Sequence, residues 1–170
     1  MAVIEAIATT YLEADAASVE FSGIPATYEH LQLRWSARSD RGNTYDHSYF
    51  RFNGDTAVNY SHHYLSGYAS TADAGGVATQ NTTYAYRLSG KSSAAESYGM
   101  TVLDIIDYTN TSKNTTISGI GGVNGTFDEA IYYSGLWLST AAVHTIWLKP
   151  YQGSNFLRGS EFTLYGLNSA

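Results

Sequence analysis

Apolar and polar residues in this chain alternate with a period of two far more often than they recur every three or four positions. Period two is the imprint of a strand with one buried face. "ASVEF" places Ala17, Val19 and Phe21 on one side, and "HLQLRWSAR" sets Leu31, Leu33 and Trp35 against Gln32, Arg34 and Ser36. "YFRFNG" pairs Phe50 with Phe52 across Arg51, "NTTYAYRLSG" pairs Tyr84 with Tyr86, and "SEFTLYGL" sets Phe162 and Leu164 against Thr163 and Tyr165. "VHTIWLKP" is almost continuously apolar, which predicts a strand buried on both faces.

Clusters of Gly, Pro, Asn and Asp ("SGIP", "SDRGN", "FNGD", "DAGG", "TNTSKN", "GGVNG") punctuate these runs. About ten strands are expected from this punctuation. "STADAGGVATQ" has a helical leaning that the Gly75-Gly76 pair spoils, and "KSSAAES" allows a short helical turn. Strands in this number, without internal repeats, must close two sheets over one core. The expected fold is therefore all-β, a jelly-roll-like antiparallel β-sandwich forming a single domain over 1–170. Burial of Phe21, Trp35, Phe50, Phe52, Ile105, Ile146, Trp147 and Phe162 would contribute roughly 1.5–3 kcal/mol each to such a core.

Composition narrows the possible functions. Only 14% of residues are charged, while the chain holds 15 tyrosines and 16 glycines among abundant Ser, Thr and Asn. Such a surface is hydroxylated and amphipathic, and tyrosine serves contact surfaces as well as cores. A formal charge of −6 without any Lys/Arg run argues against nucleic acid as a partner. No apolar run reaches the length of a membrane span, so no membrane partner is expected. The first 21 residues lack a positive n-region, so no secretory signal is expected either. Cysteine is absent, which excludes disulfides, thiolate nucleophiles and Cys-based zinc sites.

The stretch Arg51 to Gly67, "RFNGDTAVNYSHHYLSG", gathers Asp55, His62 and His63 and could hold a metal or an acid–base pair. Consecutive histidines on a strand point to opposite faces, however, and no H-x-D or H-x-H spacing joins them to Asp46 or Asp55. "NGD" reads more simply as a hairpin turn, in which Asn-Gly supplies positive φ and Asp55 bonds the backbone two residues on. Calcium held by Asn53, Asp55 and carbonyls is the competing ligand reading. Asp128-Glu129 would face opposite sides of a strand, and Glu161 and Asp104 are further isolated acids, so no glycosidase pair is apparent. There is no G-x-S-x-G elbow. His144 reads as a sheet-face or interior histidine, and "GIGGVNG" (Gly119 to Gly125) reads as a flexible loop. Several Asn-x-Ser/Thr triplets, among them those at Asn59, Asn81, Asn110 and Asn124, read as Asn/Thr-rich loops rather than glycosylation sites. The expectation is no catalytic residue, no metal and no cofactor.

Three segments carry a resemblance: Ile7 to Leu33, Phe50 to Ser61 and Ser160 to Leu167. In order they read I-A-T-T, S-V-x-F-S-x-I-P-x-T-Y-x-x-L, F-N-G-D-T-x-x-N-Y-S and F-x-L-Y-G, and this order resembles a group of tailed-bacteriophage virion proteins of structural, fibre or decoration type. The chain departs from that pattern at Tyr11 and Glu13, and Ala69 to Thr126 lies outside it. The resemblance implies a β-sandwich particle component located in the virion, with no catalytic residues. It leads to the expectation of a capsid decoration (cement) protein, a homo-oligomer with a trimer favoured, whose partners are the major capsid protein or other virion proteins. Tyr45, Tyr49, Tyr64, Tyr68, Tyr132, Tyr133 and Tyr151 are the expected contact residues. The alternative is a tail-fibre or receptor-binding tip that recognises host glycans, and a jelly-roll glycan hydrolase or lyase is a third reading.

Overall fold

The computed structural model describes residues 3–169; positions 1, 2 and 170 of the expected domain lie outside the described residues. Twelve strands are present: β1 (Ile4–Tyr11), β2 (Val19–Ser22), β3 (His30–Ala37), β4 (Tyr45–Phe52), β5 (Tyr60–Tyr68), β6 (Thr71–Gln80), β7 (Thr83–Ser89), β8 (Gly99–Ile106), β9 (Thr115–Val123), β10 (Glu129–Trp137), β11 (Thr145–Pro150) and β12 (Glu161–Leu167). They form an eight-stranded sheet ordered β1-β12-β3-β8-β9-β10-β5-β6 and a four-stranded sheet ordered β2-β11-β4-β7. Every neighbouring pair is antiparallel.

Setting aside the hairpins β5–β6 and β9–β10 leaves β1-β12-β3-β8 facing β2-β11-β4-β7. That is the double Greek key of a jelly roll. The two hairpins are inserted into this plan, and both add to the same edge of the large sheet, beyond β8. The large sheet therefore overhangs the small one, and the overhang positions every candidate site described below.

Alternation fixes which side chains fill the space between the sheets. Leu31, Leu33 and Trp35 of β3, Phe50 and Phe52 of β4, Leu103 and Ile105 of β8 and Phe162 and Leu164 of β12 are all at most 3% exposed. The Asn-Gly turn after β4 forms as its chemistry dictates: Asn53 and Gly54 take φ of 53° and 65°, and the Asp55 N–H donates to the Phe52 carbonyl at 2.9 Å. Asn53 also braces the start of β11. Its Oδ1 accepts from the N–H groups of His144 (2.9 Å) and Thr145 (3.1 Å), and its Nδ2 donates to the Ala142 carbonyl at 2.8 Å.

Three local expectations are corrected. "VHTIWLKP" forms β11, but it is buried on one face only: Ile146 and Leu148 are interior, while Trp147 lies half-exposed with the Arg51 guanidinium 5.2 Å from its ring centre. An amphipathic indole under a cation tolerates a wet face, so its presence does not require burial on both sides. "STADAGGVATQ" contributes the edge strand β6, in keeping with the Gly75-Gly76 pair that spoils its helical leaning. "KSSAAES" forms no helical turn, because Arg38 collects the carbonyls of Lys91 (2.9 Å), Ser93 (3.1 Å), Ala94 (2.8 Å) and Ser97 (3.2 Å), which spreads the segment around a guanidinium. Finally, Gly119 to Val123 belong to β9 rather than to a loop. Gly119 admits the Tyr133 ring so closely that a Cβ there would lie 2.5 Å from it.

Candidate functional site

Two surfaces arise from the overhang, one on each side of the same strands. On the inner side, β7 covers β8, β9 and β10 and reaches β5, where Tyr60, His62 and Ser66 are buried, and it leaves the inner face of β6 open beside the half-buried Tyr64 and Tyr68. The gap between the edge of the small sheet and this open face is a cleft of about 570 Å³. Tyr45, His47, Tyr84 and Tyr86 border it from the small sheet, His62, Tyr64, Tyr68 and Asp73 border it from the β5–β6 hairpin, and Phe127 closes one end. Gly75 shapes the open side: a Cβ there would lie 2.9 Å from the Tyr64 ring, so its absence lets that ring lie against β6 and donate its hydroxyl to Asp73 at 2.9 Å.

At the base of the cleft Arg87 and Glu129 form a two-bonded ion pair, with Arg87 Nη2 donating to Glu129 Oε1 at 2.8 Å and Arg87 Nε donating to Glu129 Oε2. The guanidinium also contacts the His47 ring and lies 4.6 Å from the Tyr45 ring centre. Burial, and then the neighbouring Arg87 charge, push the His47 pKa down to about 2. Burial, and then His63, push His62 down to about 4. Both imidazoles are therefore neutral at pH 7, and Asp73 is left as the cleft's one uncompensated formal charge. Burial raises the phenols of Tyr84 and Tyr86 above their ordinary value, so they remain protonated donors.

Of the seven expected contact tyrosines, Tyr45, Tyr64, Tyr68 and Tyr151 meet at this cleft, and Tyr49 stands behind it, 4.9 Å from Tyr84 and 4.8 Å from Tyr151. Tyr132 points the other way, 53% exposed on the outer face. Tyr133 is a correction. It is 0% exposed and packs at 5.5 Å on Tyr86, because β10 alternation turns it into the core as it turns Tyr132 out. The Asp55–His62–His63 set is not brought together. Asp55 Oδ1 accepts from the Ala57 N–H (2.8 Å), and Oδ2 accepts from Asn59 Nδ2 (2.8 Å) and Trp137 Nε1 (2.7 Å). These bonds, led by Asn59, hold its carboxyl below the ordinary carboxylate range. His62 faces inward and His63 outward. Asp128 accepts from the Gly125 N–H at 2.7 Å outside the core, while Glu129 is buried, so the two neighbouring acids face apart. Among the described residues no group of three or more His, Cys, Asp or Glu is arranged to hold a metal.

The outer side of the same strands is chemically different. Two adjacent rows run across β8, β9, β10, β5 and β6: Met100, Gly122, Ala130, Gly67 and Ala72, then Val102, Ile120, Tyr132, Leu65 and Ala74. Neither row contains a charge, and Met100, Ile120 and Leu65 are 62%, 59% and 56% exposed. The next row, Asp104, Ser118, Ser134 and His63, is polar and ends the patch. Strand alternation shows these faces once register is known, but the register of the two inserted hairpins is not local information. His47, Arg87, Glu129, Asp73 and Phe127 were missed as members of one site. A signal existed for two of them: Arg87 falls among the apolar residues of β7 and Glu129 shares the inward parity of Ile131 and Tyr133 on β10, and buried charges of opposite sign call for pairing.

No protein-family model and no curated protein matches the chain.

Proposed function

We propose that this protein is a structural subunit of a tailed-bacteriophage particle, a decoration protein whose large sheet adheres to neighbouring capsid subunits and stabilises the head. The observation that carries this reading is the uncharged double row on the outer face. Exposed Met100, Ile120, Tyr132 and Leu65 stand side by side, with Gly67, Ala72, Gly122 and Ala130 keeping the surface low beside them. A contiguous apolar area with a polar border is the form of a protein–protein contact, and little charge has to be desolvated when it closes. The order of the virion-like segments supports the same assignment, since they supply the end of β1, β2, the start of β3, the end of β4 with its turn, and β12, all parts of the sandwich to which the two hairpins are added. On a repeating lattice, symmetry would multiply a modest contact through avidity.

Purified protein added to undecorated heads is the test. Stoichiometric binding in hundreds of copies, with heads more resistant to heat, is expected, and both effects should be lost on Ile120→Glu or Leu65→Glu. Absence of binding, or a handful of copies at a tail tip, would refute a decoration role.

A further inference from the structure

The cleft between the sheets is not used by this reading, and it lies on the opposite side of the same strands. Along β5 and β10, Leu65 and Tyr132 face outward while Tyr64 and Tyr133 face inward. A subunit held by its outer face would therefore leave the cleft uncovered by that contact. We propose that the cleft is a binding site for a neutral oligosaccharide, seated against Tyr68, Phe127 and Tyr64 and hydrogen-bonded by Asp73 and His62.

Four observations carry this. The first is construction: the cleft exists because the β5–β6 hairpin is added beyond the sandwich, and its volume of about 570 Å³ lies within the usual range for small-ligand sites. The second is its aromatic end, where Phe127 sits between Tyr45 (4.8 Å) and Tyr68 (5.4 Å) and is only half-buried, as is Tyr68. Such rings offer flat apolar faces to the C–H side of a sugar ring while the tyrosine hydroxyls reach its edge.

The third observation is polar. His62 is 6% exposed and borders the cleft, and its Nδ1 has no hydrogen-bond partner among the described residues. A buried ring nitrogen without a partner is costly, and a ligand hydroxyl in the cleft would satisfy it. Asp73, exposed on the open side, receives one hydroxyl from Tyr64 and keeps acceptor capacity for another.

The fourth observation is charge, which excludes the other ligand classes. Arg87 is already bound to Glu129, so no free cation awaits a phosphate or carboxylate, and Asp73 would repel either. A wholly apolar ligand would desolvate Asp73 and His62 without giving them partners. A ligand that is uncharged, hydroxylated and apolar on its ring faces meets every group in the cleft.

The experiment is a titration of the intact chain by isothermal calorimetry with defined oligosaccharides, namely maltohexaose, cellohexaose, chitohexaose, mannohexaose and α2,3-sialyllactose. Saturable binding of at least one neutral member is expected, at one site per chain and weakened at least tenfold by Phe127→Ala and by Asp73→Ala. Both side chains lie at the border of the cleft, and thermal unfolding checks that each variant is folded. Ile120→Glu on the outer face should leave the affinity unchanged, which separates this site from head binding. Binding of none of the neutral sugars, binding of the sialylated one alone, or affinity indifferent to Phe127→Ala and Asp73→Ala would overturn the proposal.

Discussion

Arg87 on β7 and Glu129 on β10 form an ion pair that ties the small sheet to the inserted part of the large one, each residue being 6% exposed. Removing one partner leaves a buried charge alone, which costs about 3–5 kcal/mol, whereas replacing both with apolar groups of similar volume is close to neutral or stabilising. Glu129→Leu is therefore expected to lower the unfolding free energy by that amount, and Arg87→Met with Glu129→Leu to restore most of it. Urea denaturation of the two single variants and the double variant measures the coupling. Additive losses would show that the pair does not act as a unit.

The neutral histidines at the cleft set a pH dependence. In the unfolded chain His47 and His62 take up protons near their ordinary value of 6.5, whereas in the native state burial and neighbouring positive charge (Arg87 and Arg41 at His47, His63 at His62) delay uptake to about 2 and about 4. Between these limits the unfolded state binds more protons, so stability is full above pH 6.5 and falls as the pH drops. Each histidine contributes a limiting slope of about 1.4 kcal/mol per pH unit. Unfolding free energies measured from pH 7.5 to 4.5 should show this decline, and His62→Gln should roughly halve its slope, leaving the part due to His47. A decline that begins only below pH 4.5 would assign it to carboxylates instead.

Much of the architecture is legible in the chain because local rules and the native state agree. Leu31, Leu33 and Trp35, or Phe162 and Leu164, face the core as alternation demands, and Asn53-Gly54 turns where its φ preference puts it. The cleft is harder to read, since it depends on which edge the β5–β6 and β9–β10 hairpins join. Tyr132 and Tyr133 illustrate the difficulty: composition marks both as contact residues, and only register separates the exposed one from the buried one. Trp147 misleads in the other direction, as an apolar residue that rests under Arg51 on a wet face.

Asn53 has two separable roles. Asn53→Gly keeps the positive φ of 53° but loses the bonds to Ala142, His144 and Thr145, and is expected to cost about 1–3 kcal/mol. Asn53→Ala loses the same bonds and also strains the left-handed backbone, which adds roughly 1 kcal/mol. The ranking wild type, Gly, Ala in chemical denaturation is the expected result. Equal losses for the two variants would mean that the turn conformation contributes nothing beyond its side-chain bonds.

Tyr133 and Gly119 meet closely in the core, where a Cβ on Gly119 would lie 2.6 Å from the Tyr133 hydroxyl oxygen. That hydroxyl has no hydrogen-bond partner among the described residues and is fully buried, and burial raises its pKa well above the ordinary value. Deleting an unsatisfied buried hydroxyl removes a desolvation penalty of about 1–3 kcal/mol at the expense of a small void. Tyr133→Phe is therefore expected to be neutral or stabilising, against the usual direction for a core substitution. Gly119→Ala should destabilise by about 1–3 kcal/mol through overpacking. Combined with Tyr133→Phe, the Gly119→Ala loss should shrink, because the added methyl then meets one atom fewer. Thermal and urea unfolding of the three variants decides the matter: a clear loss for Tyr133→Phe alone would mean that the hydroxyl is satisfied in solution.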